Sequence, residues 1–101
     1  MIALVVATVL LHGVVRIGPT TPVCRVGVPC DKPAAGVMLR FTRAGTTVTA
    51  KTDSQGRYRA VLSPGSWTIR ASRGMSIRPA AFVVPRVQTA SRNFTIDTGI
   101  R

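Results

Sequence analysis

Cys24 and Cys30, separated by five residues with Pro29 between them, are the pair in this 101-residue chain whose spacing bears most directly on chemistry. In an oxidising compartment two cysteines so placed close a small ring and stiffen the segment that carries them. Free thiols, or metal or redox chemistry, are the alternatives. A zinc site needs four ligands, and His12, the sole histidine, completes such a set only if Asp31 or a second chain contributes. A redox pair is more often spaced Cys-x-x-Cys. A structural disulfide between Cys24 and Cys30 is therefore the expectation, with no metal and no other cofactor.

The remaining polar residues assemble no catalytic set. His12 has no acid assignable to it, so a Ser-His-Asp arrangement cannot be built. Asp31, Asp53 and Asp97 are the only acids and lie far apart, which leaves no carboxylate pair for glycoside hydrolysis. Asp53-x-Gln55-Gly56 lacks the later acidic ligands of a calcium loop, and no Gly-rich phosphate cradle is present. An enzyme with a small-molecule substrate is not expected.

Charge is the other chemical signal. Fourteen Lys and Arg against three acids give a net charge of +11. Such a surface attracts polyanions, with an affinity that falls steeply with salt. Twelve of the fourteen cations are Arg, a bias that GC-rich coding also produces, and the cations are scattered rather than run together. Arg40, Lys51, Arg57, Arg59 and Arg70 are the candidate polyanion-binding residues. The partner is unknown, with anionic cell-envelope polymers or another protein as the candidates.

Short strands must position these residues. The chain is 46% hydrophobic with five aromatic side chains. It is rich in Val, Thr, Ala and Ile, a balance that suits pleated strands. No apolar 3.6-residue period is sustained, whereas period-2 alternation recurs between Gly and Pro punctuation. Strands are expected over residues 13–17, 37–43, 47–52, 57–62, 67–72, 81–84 and 92–97. Their inward residues would be Val37, Leu39, Phe41, Val48, Ala50, Tyr58, Ala60, Leu62, Trp67, Ile69, Phe82, Val84, Phe94 and Ile96. Tyr58 and Trp67 thus read as core rather than as stacking platforms. Arg57, Arg59, Arg70 and Arg92 would face water and discourage edge-to-edge pairing. Asn93-Phe94-Thr95 fits the glycosylation sequon, but an inward Phe94 makes it a poor acceptor.

Seven short strands suggest an all-β, antiparallel β-sandwich with an Ig-like Greek key. The hairpin loops at 44–46 and 54–56 make its middle a meander. Residues 18–36, with Pro19, Pro22, Pro29 and Pro33, are expected to be an irregular loop, either functional or stapled. Residues 1–11 are apolar except Thr8, and the run is shorter than the about 20 residues that span a bilayer. They read as the remnant of an export signal whose basic leader is missing, since residues 2–11 show no alternation. An extra apolar strand is the alternative. Residues 12–101 are then one domain, secreted or in the cell envelope.

The run Lys51-Thr52-Asp53-Ser54-Gln55-Gly56-Arg57-Tyr58, followed by Leu62-Ser63-Pro64-Gly65-Ser66-Trp67-Thr68-Ile69, resembles the signature of carboxypeptidase regulatory-like domains. The resemblance covers about residues 12 to 97 and implies a prealbumin-like, or transthyretin-like, β-sandwich of the small secreted bacterial type. It implies a structural or adhesive module rather than an enzyme, with polyanion binding as the alternative. The similar hydroxyisourate hydrolases end in Tyr-Arg-Gly-Ser, whereas this chain ends Asp97-Thr98-Gly99-Ile100-Arg101. The similar collagen-adhesin repeats crosslink Lys to Asn with the help of a Glu, which this chain lacks.

Overall fold

A computed structural model describes residues 8–19, 27 and 30–99. Among them there is no helix, and the strands are β1 (Val9–Gly18), β2 (Lys32–Pro33), β3 (Met38–Arg43), β4 (Thr46–Lys51), β5 (Arg57–Leu62), β6 (Gly65–Ala71), β7 (Ser76–Arg78), β8 (Ala81–Val84), β9 (Thr89–Ser91) and β10 (Phe94–Asp97). They form two sheets. One has the order β4-β3-β6-β8, all antiparallel. The other is organised on β1, whose first half lies between β5 and β9 and whose second half lies between β2 and β10, with β7 outside β10.

Alternation builds the core. Tyr58, Ala60 and Leu62 of β5 are buried while Arg57, Arg59 and Val61 are exposed, and β3, β6, β8 and β10 follow the same rule. The inward sets of both sheets join in one buried cluster. Phe41 lies at its centre, with ring centroids 6.0 Å from Tyr58, 6.1 Å from Phe82 and 6.4 Å from Phe94. Of the expected inward residues, Val48 and Ala50 are only partly buried, because β4 is the edge of its sheet.

Three features differ from the expectation. Ten strands are present among the described residues rather than seven. The additional ones, β2, β7 and β9, span only two or three residues, too few for alternation to register. Within the expected irregular loop, Lys32–Pro33 pairs with Arg16 and Ile17, and Pro33 is accommodated because β2 is a sheet edge. The pairing is also not wholly antiparallel: β1 runs parallel to β9 and to β10. Periodicity is the same in both kinds of ladder, so the direction was not readable from it.

The first strand begins at Val9 rather than at residue 13. Val9 and Leu11, which the sequence grouped with the apolar segment 1–11, are 1% and 2% exposed, with Leu62 and Ala60 as register partners on β5. Leu10, on the outer face, is half-buried, so both faces of this part of β1 are apolar and the alternation is hidden. Residues 1–7 lie outside the described residues.

Candidate functional site

The Thr52 to Trp67 segment is held together by its own polar groups. Thr52 is 3% exposed. Its Oγ1 accepts from the Val37 amide at 2.8 Å and donates to the Ala34 carbonyl, tying the entry of β3 to the end of β4. Asp53 makes the turn: its Oδ1 accepts from the backbone amides of Gln55 (2.8 Å) and Arg57 (2.9 Å), and its Oδ2 pairs with Arg57 Nε at 3.1 Å. The Arg57 amide, with further help from the Gln55 amide and the Arg57 guanidinium, holds the Asp53 carboxyl below the usual aspartate range. Gly56 has φ +77 and a Cβ there would strike the Val15 carbonyl, so the turn packs against β1.

The aromatics of the motif are also committed to the fold. Tyr58 donates its hydroxyl to the Arg92 carbonyl at 2.5 Å, and burial pushes that hydroxyl well above the usual tyrosine range despite the nearby Arg92 charge. Trp67 Nε1 donates to the Ser63 carbonyl at 2.8 Å and closes the Pro64-Gly65 turn, which Arg43 caps through Ser63 Oγ and the Pro64 carbonyl.

The five candidate cations fall into two groups. Arg40 and Arg70 are register partners on β3 and β6, on the outer face of the four-stranded sheet. Arg57 and Arg59 lie on the outer face of β5, in the other sheet. Lys51, at the end of edge strand β4, joins Arg57 and Arg59 across the 52–56 turn, because all three line one open hollow of about 790 Å³. A single continuous face carrying all five is not formed.

That hollow also contains residues the sequence left aside. His12 is the register partner of Arg59 on one side and of Ser91 on the other, so Arg59, His12 and Ser91 form a row across β5, β1 and β9. All three and Asn93 line the hollow. Asn93 fills a gap in the parallel ladder: β9 and β10 pair with β1 at the same offset, and between them Asn93 Oδ1 accepts from the Val14 amide at 3.0 Å. Beside it Gly13 has no space for a side chain, since a Cβ would strike the Arg92 carbonyl. The sequence assigned His12 no partner and left Asn93 in a sequon that is a poor acceptor. The parallel pairing that joins them was the missing information.

Charge within the hollow is one-sided. Its only acid, Asp53, is occupied by Arg57 and two backbone amides. Among the described residues the ion pairs are Asp53–Arg57 and Arg16–Asp31, the latter at 2.8 Å and also bonding the Asp31 carbonyl, which pins the segment before β2 to β1. Lys51 and Arg59 take part in neither. Cys30 lies near Asp31, in a hollow with Gly18 and Asp97, and is not a free thiol. Its expected partner Cys24 lies outside the described residues. No group of three or more His, Cys, Asp or Glu that could hold a metal occurs among the described residues.

Compared with protein-family models, curated proteins and solved structures, the chain matches none.

Proposed function

We propose that this chain is a non-enzymatic β-sandwich module of the carboxypeptidase regulatory-like, prealbumin-like type, secreted or held in the cell envelope, whose partner is an anionic polymer. The observation that carries the reading is the convergence of Lys51, Arg57 and Arg59 on one hollow whose single acid is already occupied. Thr52, Asp53, Tyr58 and Trp67 are engaged in the fold, which leaves Lys51 and Arg59 as the charged groups of this segment outside any ion pair among the described residues and available to a partner. A Cys24–Cys30 bridge belongs to the same reading, as a staple on the segment before β2.

The test is retention on immobilised heparin. Lys51→Glu with Arg59→Glu should elute at much lower salt than the wild type, because removing phosphate- or sulfate-facing cations lowers both affinity and its salt dependence. Retention unchanged by that double reversal would remove the polyanion reading and leave a purely structural or adhesive role. That second reading rests on the two-sheet core and the resemblance of residues 51–69. Intact mass of the protein from its native host, with and without alkylation, reports both export processing and the state of the two cysteines.

A further inference from the structure

We propose that the hollow between β5, β1 and β9 is a discrete site for phosphate groups of a base-free phosphodiester polymer, read by Arg59, Lys51, His12, Ser91 and Asn93; this rests on the polyanion reading above and narrows it. Diffuse attraction by a net charge of +11 needs no particular residues. The hollow has them.

Arg59, His12 and Ser91 stand in one row on adjacent strands, about 4.8 Å apart from strand to strand. Arg57 and Asn93 flank that row one pleat repeat further along, and Lys51 reaches in from the edge of the opposite sheet. Asn93 is oriented by the fold. Its Oδ1 accepts from the Val14 amide, so its Nδ2 hydrogens are the part left to meet a ligand. The Ser91 hydroxyl can likewise donate, and both Arg59 and Lys51 are donors only. A surface that presents donors from four strands, with its one carboxylate already bound, is complementary to a tetrahedral oxyanion that accepts from several directions. At about 790 Å³ and open to solvent, the hollow is far larger than a bare ion and admits a chain passing through it.

The aromatic inventory decides which phosphodiester. Proteins that hold single-stranded nucleic acid stack bases on exposed aromatic rings. All five Phe, Tyr and Trp side chains of this chain, Phe41, Tyr58, Trp67, Phe82 and Phe94, are buried, and Tyr58, which lines the hollow, is 2% exposed with its hydroxyl bonded to the Arg92 carbonyl, so none of these rings offers an exposed face to a base. A polymer of alcohol phosphates, without bases, fits what remains.

The experiment compares binding of poly(glycerol phosphate), an oligo-dT of matched phosphate number, and polygalacturonate to four proteins. These are the wild type, Lys51→Gln/Arg59→Gln, Arg40→Gln/Arg70→Gln and Asn93→Asp. The two double variants lose the same net charge. Asn93→Asp keeps the oxygen that Val14 needs and replaces the donor by a carboxylate oxygen. The expected result is tightest binding of poly(glycerol phosphate) per charge. The hollow double should weaken it by about tenfold or more and lower the salt slope by about one for each cation removed. Asn93→Asp should weaken it by about fivefold or more with the unfolding midpoint retained, and the Arg40/Arg70 double should stay within about twofold of wild type. Equal losses in the two doubles would overturn the discrete site while leaving a diffuse polyanion binder. Polygalacturonate bound as tightly would overturn the phosphodiester assignment, and oligo-dT bound as tightly would overturn the base-free assignment, each leaving the discrete site. Failure of the wild type to bind any of the three would remove the polyanion reading and the site together.

Discussion

Replacing Thr52 by Val tests whether the turn motif works through a buried hydroxyl. The change preserves shape and burial but removes Oγ1, the partner of the Val37 amide and the Ala34 carbonyl. A buried polar group left unsatisfied costs about 1–3 kcal/mol, and two are exposed to that loss here. Allowing for partial relaxation or water entry, the expected destabilisation is about 2–4 kcal/mol. A domain of this length has a total stability of about 5–15 kcal/mol, so the loss is a large fraction of it. At about 4–8 °C per kcal/mol, the melting temperature should fall by roughly 8–32 °C. The assay is equilibrium urea unfolding followed by the fluorescence of Trp67, with Thr52→Ser as the companion variant. Serine keeps the hydroxyl and loses one methyl group, so it should cost about 1 kcal/mol. Thr52→Val within about 0.5 kcal/mol of wild type, or serine and valine equally destabilised, would refute the hydroxyl as the anchor between β3 and β4.

Three further outcomes are expected. Leu11→Ala should destabilise by about 2–5 kcal/mol in the same urea assay, because Leu11 is buried in β1; a negligible effect would return that residue to a segment outside the domain. Asp53, whose folded carboxyl is held below its ordinary value of 3.8, contributes stability that is present above that value and lost as pH falls through the lower folded one. Asp53→Asn should therefore be less stable than wild type at pH 6 and should show a shallower loss of urea midpoint between about pH 5 and pH 2. Arg70→Thr removes a like charge directly opposite Arg40 and should raise stability by about 0.2–1 kcal/mol, more at low salt than at high salt, as thermal melts at two ionic strengths would show.

The turn chemistry and the faces of the strands were legible from the local order of residues alone. Asp53, Gly56 and the Pro64-Gly65 pair sit where their backbone preferences demand a turn, and Arg57, Arg59, Arg40 and Arg70 face out because their neighbours at odd spacing face in. The beginning of β1 was not legible, because Val9, Leu10 and Leu11 are apolar on both faces and erase the alternation on which the strand assignment depends. Thr52, expected as the last residue of a strand, lies just past β4, and its role as an anchor was not legible, since its hydroxyl partners are on the segment 34–37 and local pattern does not report long-range pairing.

For the site the division is sharper. By itself the sequence determined an all-β chain with a strong positive charge, a turn-strand-turn motif and outward arginines, since alternation and turn preference are local properties of the backbone. Which arginines act together was decided only by the tertiary structure. Arg40 and Arg70 became neighbours through the pairing of β3 with β6, while Lys51 was carried by the 52–56 turn to the side of Arg57 and Arg59. His12, Ser91 and Asn93 joined them because β1 pairs in parallel with β9 and β10, strands nearly the whole chain away. The physical reason is that period-2 alternation specifies which face a side chain occupies but carries nothing about which strand lies beside it.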